Sequence, residues 1–283
     1  MKTYLECIPC FFKQALFAAR IVLKDETDIK HVLDRIGVLL PHIPLESSPP
    51  ETGREIYRII REMTGIDAPF RELKAQSTDA ALRLYPVLKG MVETVSNPLE
   101  TAVRVAVAGN VIDFGADPEF ELEKDVHAIL ETEPAIDDCS LFVEKLAKAK
   151  QVLYLGDNAA ETVFDRILIE TMKKPVVYAV RGRAVINDAT LEDARNSGLH
   201  KVATVISSGC DAPGFILSTC SREFVDHFNT ADLIISKGQG NWEALSDAQR
   251  PIFFLLKAKC SVVAKELGVA TGDTVIKYAP GRG

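Results

Sequence analysis

The residues best able to do chemistry stand in four short polar runs. They are Gly156-Asp157-Asn158-Ala159-Ala160-Glu161, then Arg181 with Val185-Ile186-Asn187-Asp188-Ala189-Thr190, then Ser207-Ser208-Gly209, and last Ser236-Lys237-Gly238-Gln239-Gly240-Asn241. Asp157, Asn158 and Asp188 are hard oxygen donors with no His or Cys beside them. Such a set suits magnesium or manganese better than zinc. A cation held this way keeps open positions for water and phosphate, can lower the pKa of a bound water, and can polarise a phosphoryl oxygen. Lys237 offers a point positive charge, and Gly238 and Gly240 let backbone amides come close to an anion. Together these parts are what hydrolysis of a phosphate ester needs.

Each part also has an ordinary structural reading. Asp157 and Asp188 precede helix-like segments and can act as N-caps. Lys237 can be a surface lysine, and the two glycines can do no more than shape a turn. The functional reading rests on convergence, because all four runs follow short apolar stretches: 152–155, 176–180, 203–206 and 233–235. A fifth stretch covers 252–256, and helix-like segments at 159–172, 189–197, 222–228 and 261–267 lie between or after them. Short apolar strands alternating with helices imply an α/β fold with a parallel sheet covered on both faces. Ligands then sit outside the carboxyl ends of the strands, where the polar runs begin.

Residues 1–148 read differently. Apolar positions recur at helical spacing over 10–23, 29–40, 51–63, 71–92, 100–111, 119–131 and 140–149, with a Pro-rich break at 41–50. The expected organisation is therefore a helical subdomain over 1–148 and an α/β metal-binding domain over 149–283. Asn110 and Asp113 end a helix in the first part, where spacing alone assigns them only to a helix C-terminus and a turn at Gly115.

Composition narrows the function classes. With 47% hydrophobic and 26% charged residues, the 283-residue chain has enough apolar material to bury a core. Its net charge is −7, and no basic stripe suited to nucleic acid stands out. The most apolar N-terminal stretch, 8–23, is interrupted by Lys13, Gln14 and Arg20. It suits neither a membrane span nor a signal peptide, so a cytoplasmic protein is expected. No G-x-S-x-G turn supports a serine hydrolase, and no Walker A loop is present. Gly238-Gln239-Gly240 follows a strand like a dinucleotide fingerprint, but Glu243 stands where the third glycine belongs. A nucleotide- or dinucleotide-binding protein, or a metal-binding regulator without catalysis, are the rival readings. Cys7-Ile8-Pro9-Cys10 is compatible with zinc, with a redox pair, or with core thiols on a helix.

These segments resemble the metal-dependent damage-control phosphatases, also called domain of unknown function 89. The likeness runs through Gly156-Asp157-Asn158-Ala159, Asn187-Asp188-Ala189-Thr190 with Asp193-Ala194, and the run 236–241. It extends to Ala108-Gly109-Asn110-Val111-Ile112-Asp113, to Pro49-Pro50-Glu51, and to Cys7-Ile8-Pro9-Cys10 with Leu256-Lys257-Ala258-Lys259-Cys260, and so covers nearly the whole chain. The cysteine pair is similar to the archaeal and bacterial branch. The resemblance implies a Rossmann-like α/β part carrying a helical N-terminal part. It implies a metal triad at Asp157, Asn158 and Asp188, and a phosphate-binding Lys237 with Gly238 and Gly240 in its loop. Asn110 and Asp113 would border the site. The implied activity is hydrolysis of phosphate esters of small metabolites with a divalent cation (manganese, magnesium, cobalt or nickel), water being the expected nucleophile. A second metal at Cys7, Cys10 and, by resemblance, Cys260 is a further expectation.

Overall fold

The computed structural model describes residues 1–111 and 132–282. Asp113 and the helix expected over 119–131 lie outside the described residues. The protein is a mixed α/β fold with a seven-stranded, mostly parallel sheet. Its strands are β1 (Ile136–Asp137), β2 (Val152–Leu155), β3 (Val176–Val180), β4 (Thr204–Ser207), β5 (Leu233–Lys237), β6 (Ile252–Lys257) and β7 (Thr274–Ala279). The spatial order is β1-β7-β6-β5-β2-β3-β4, and only the β6–β7 pair is antiparallel. All five expected apolar stretches appear as strands within two residues of their expected bounds: β2 and β3 match, β4 is shifted by one, and β5 and β6 run two and one residues further. β1 and β7 were not expected.

Eleven α-helices surround the sheet among the described residues. Before β1 come α1 (Cys7–Val22), α2 (Glu26–Leu39), α3 (Pro49–Thr64), α4 (Arg71–Thr94) and α5 (Pro98–Val111). Then come α6 (Cys139–Lys148), α7 (Glu161–Met172), α8 (Leu191–Asn196), α9 (Arg222–Thr230), α10 (Gln239–Leu245) and α11 (Ser261–Leu267). The start of α3 shows how local sequence sets a boundary. Ser48 and Glu51 form a capping box and Pro49 opens the first turn, so the Pro-rich break ends in a helix.

Burial follows from the parallel sheet. All of β2, β3 and β5 is buried, as strands covered on both faces must be. One face, with Tyr154, Tyr178, Ile235 and Phe253, packs under α4–α7. The other, with Leu155, Ala179, Ile234 and Phe254, packs under α9–α11. Helices α1–α3 form a third apolar cluster that also takes in Val185 from the loop after β3. The N-terminal part therefore divides: α4 and α5 cover the sheet, while α1–α3 overhang its rim. No helix among the described residues is long and apolar enough to cross a membrane.

The chain winds from β2 through β3 to β4 on one side, then returns to place β5 on the other side of β2. Such a switch point leaves a crevice at the carboxyl ends of the two diverging strands. The residues just beyond β2 and β5 are Gly156-Asp157-Asn158 and Gly238-Gln239-Gly240.

Candidate active site

Two backbone contacts bring the separated donors together. The Ala189 amide donates to Asp157 O at 2.7 Å and the Ala159 amide donates to Asn187 O at 2.8 Å. Asn158 and Asp188 thus face each other in an isolated antiparallel bridge. The bridge pins the loop after β2 to the loop after β3, so residues thirty positions apart share one spot. Gly156 is required just before it, because a Cβ there would lie 2.5 Å from the Tyr178 hydroxyl oxygen.

Asp157, Asn158 and Asp188 line a cleft of about 280 Å³. Its walls include Pro50 and Gly53 of α3, Pro213 from the loop after β4, and Gly240 and Glu243 of α10. Asp157 is 8% exposed and Asp188 is 4% exposed. Asp157 Oδ2 accepts from Asn110 Nδ2 and from Asn158 Nδ2, both at 3.2 Å. The same two amides donate to Glu161 Oε1 at 2.7 and 2.6 Å. Asn110 is itself oriented by the Lys257 amide, which donates to its Oδ1 at 3.0 Å. Asp188 Oδ2 accepts from Arg181 Nε at 2.5 Å, and Arg181 Nη2 lies 3.6 Å from Asp157 Oδ1.

Three carboxylates thus crowd a desolvated spot. Burial pushes Asp157 well above the ordinary carboxylate range, and the charges of Glu161 and Asp188 add to the push. Burial also raises Asp188 against the pull of Arg181. Glu161 goes the other way: despite burial, Lys237 and Lys259 hold it below its ordinary value. A divalent cation repays this kind of crowding, and two carboxylates with an amide carbonyl fit a hard oxygen-seeking ion.

Lys237 is not where it was expected. Its ammonium is wholly buried, 2.8 Å from Glu161 Oε2 and 2.7 Å from Asp165 Oδ1. Asp165 also accepts from the Tyr154 and Tyr178 hydroxyls, each at 2.7 Å. The lysine lies beneath the cleft as part of a closed polar network, and its charge is spent on two carboxylates instead of facing the opening. The two glycines are also occupied. Gly238 has φ +80°, and a Cβ there would lie 1.9 Å from Asp157 Oδ2. A Cβ on Gly240 would lie 2.0 Å from Pro213 O. Both are bare because protein atoms approach them, although Gly240 also lines the cleft.

The second ion expected at Cys7, Cys10 and Cys260 lacks a ready ligand set. All three thiols line the same cleft as Asp157. Yet no three His, Cys, Asp or Glu side chains among the described residues are placed to hold one ion. Burial raises the Cys7 and Cys10 thiols, which disfavours the thiolates a soft metal needs. Cys260 Sγ is engaged as the cap of α11, accepting from the Val263 amide at 3.5 Å.

Several residues of the site were given no role from sequence, although Glu161, Arg181 and Asn241 stand in the polar runs after the strands. Arg181 and Asn241 form a buried link across the switch point, Arg181 Nη2 donating to Asn241 Oδ1 at 2.9 Å. Asn241 in turn donates to Gly156 O and Lys237 O. Glu161 and Asp165 form the acidic floor. Lys259, exposed on the rim, is the one lysine or arginine among the described residues that line the cleft.

The sequence model of the damage-control phosphatase ARMT1-like domain matches residues 3–275. The chain belongs to that family. The damage-control phosphatase PH1575 of Pyrococcus horikoshii is 38% identical to it, over 97% of each chain. A damage-control phosphatase of Archaeoglobus fulgidus is 33% identical over 98% of this chain and 99% of its own. The crystal structure of the Pyrococcus horikoshii family member, described there as a DUF89 protein, superposes with a TM-score of 0.92 at 37% identity and covers 99% of both chains. Family membership over nearly the whole length supports a phosphatase role.

Proposed function

We propose that the protein is a divalent-metal-dependent phosphatase acting on phosphate monoesters of small metabolites. One observation carries this reading. The cleft is lined by four carboxylic residues, Glu6, Asp157, Asp188 and Glu243, against one cation, Lys259. Burial holds protons on several of these carboxyls, and a bound cation would displace those protons from Asp157 and Asp188. As the carboxyls ionise they repel a phosphate dianion unless that cation reverses the local charge. Asp157, Asn158 and Asp188 are the residues that would hold it. Manganese, magnesium, cobalt and nickel all suit an oxygen-rich set, and any of them supplies Lewis-acid charge for phosphoryl oxygens and acidifies a water.

The chain's own residues do the positioning. Arg181 fixes one oxygen of Asp188, and the Asn110 amide fixes one of Asp157, so both carboxylates are aimed before any ligand enters. Lys237 lets Glu161 stay ionised beneath them. Lys259, on the rim, is the group placed to meet a phosphoryl oxygen and to offset charge in a loose, in-line transition state. Water is the favoured nucleophile over Asp157. A phosphoaspartate route expects a second acid two positions on, and that position is Ala159.

The test is phosphate release from p-nitrophenyl phosphate and a panel of sugar phosphates after chelation and after adding back each metal. The expected result is no turnover without metal, recovery with it, and no recovery in Asp157→Asn. Chelated protein turning over at the metal-loaded rate would refute the reading. A single turnover in oxygen-18 water that labels the Asp157 carboxylate would replace water with the carboxylate as nucleophile.

A further inference from the structure

Ile186 stands between two cavities. It lines the catalytic cleft, and it also lines a larger cavity of about 370 Å³ between α4 and the loop after β3. That second cavity is polar in part, with Arg71, Lys74, Thr78, Arg183 and Asp193 among its walls. Lys74, a wall of the second cavity, is tied to the loop that carries Asp188. Its ammonium donates to Asp188 O at 3.1 Å and pairs with Asp193 Oδ2 at 2.6 Å.

The backbone at Ile186 is strained. Its φ is +44°, in the left-handed region that a β-branched side chain enters only at a cost. The Asp188 amide donates to Val185 O at 3.0 Å, so residues 185–188 form a tight turn with Ile186 at its first central position. Glycine or asparagine ordinarily fills a positive-φ turn position. Both flanks of the turn are fixed. Val185 is buried among α1–α3, and Asn187 O accepts from Ala159. Glycine would relieve the backbone but would remove a side chain that packs against the α1–α3 cluster at a position lining both cavities. Strain of this kind, beside a site, points to use of the side chain.

We propose that Ile186 is a specificity-determining residue: its side chain walls the catalytic cleft off from the second cavity and restricts the leaving group to sugar-sized phosphate esters. This rests on the phosphatase reading above. With the wall in place, a leaving group must fit the cleft alone. With it removed, the two cavities join, and the polar second cavity can receive a larger group such as a nucleobase.

Ribose phosphate and adenosine monophosphate make a matched pair, differing by the base. Turnover of both, and calorimetric affinity for both, are measured on manganese-loaded wild type, Ile186→Gly and Ile186→Ala. Wild type is expected to prefer ribose phosphate. In both variants the ratio of adenosine monophosphate to ribose phosphate should rise about tenfold in kcat/KM, the range for reshaping one apolar contact. The affinity ratio should move the same way. An unchanged ratio overturns the wall, and so does an equal fall for both substrates, which would make Ile186 a positioning residue for Asp188. Absence of turnover in wild type would sink the phosphatase reading, while the affinity ratio would still decide the wall. Melting gives a separate check. Ile186→Gly should melt above Ile186→Ala, the reverse of the usual order, because only glycine relieves the positive φ. The usual order would remove the argument from strain.

Discussion

Arg181 donates from Nε to Asp188 Oδ2 at 2.5 Å while its guanidinium carbon sits 4.2 Å from the centroid of the Phe215 ring. The contact with the ring and the salt bridge together fix the plane of the guanidinium. Its Nη2 can then reach Asn241 Oδ1, while Nη1 is buried with no hydrogen-bond partner among the described residues. One side chain thus orients Asp188, ties β3 to α10, and retains a donor. A lysine has the charge but not the planar fork. Arg181→Lys is expected to lower kcat about ten- to a hundredfold. It should also destabilise the fold by about 2–4 kcal/mol, because a buried carboxylate loses its partner. Urea unfolding alongside steady-state kinetics checks both, and a variant with wild-type kcat would remove Arg181 from the site.

Lys237 sits beneath the cleft, so its loss should register first as stability. Lys237→Met would leave Glu161 and Asp165 buried without their shared cation. Breaking one side of a buried ion pair typically costs about 3–5 kcal/mol. The expected result is a large drop in the urea midpoint, with activity lost along with the fold. A variant that unfolds like wild type but binds phosphate poorly would return Lys237 to the role first expected of it.

Gly238 tests how tightly Asp157 is held. At φ +80°, any side chain is strained there, and a Cβ would meet Asp157 Oδ2. Gly238→Ala must therefore displace the carboxylate or the loop. Displacement of this kind, on the scale of an ångström, can cost about a hundredfold in rate. Metal-dependent turnover should fall by about that factor, with a smaller proportional loss in metal-free stability. Retained turnover would mean that Asp157 can move without consequence.

Much of the architecture was legible in the sequence because parallel strands, buried on both faces, read as unbroken apolar runs. β2 and β3 have the expected bounds for that reason. β7 was hidden by the opposite pattern: within Thr274–Ala279 only Val275 and Ile276 are deeply buried, and Lys277 interrupts the run. β1 has two residues and carries no periodicity at all. At the site, residue types were visible but pairings were not. Lys237 at a strand end reads as a lysine facing ligand. Its burial depends on Asp165, one turn beyond Glu161 on α7, and on two tyrosines from neighbouring strands. Arg181, directly after an apolar run, and Lys259, in a family-like segment, were visible as positions but not as roles, because those roles arise from β5 lying beside β2 and from the fold of the chain after β6.

Glu243 links the cleft to pH. Burial pushes its carboxyl up to about 7, while Gln239 Nε2 donates to its Oε1 at 2.8 Å. In the unfolded chain the group should titrate near the ordinary glutamate value, about 4.3. Below that value both states are protonated and the residue makes no difference to stability. Between the two values the unfolded chain releases its proton and the folded chain keeps it, so stability falls as pH rises. Above about 7 the penalty is complete. Because Glu243 is only partly buried by solvent exposure, water screens some of the effect, leaving about 1–2 kcal/mol. Glu243→Gln keeps an acceptor for Gln239 and removes the titration. The variant should match wild type at about pH 4 and melt several degrees higher at about pH 8. Thermal melts across that range, with chelator present, check it. Parallel curves for the two proteins would show that Glu243 is ionised in the folded state at the same pH as in the unfolded one.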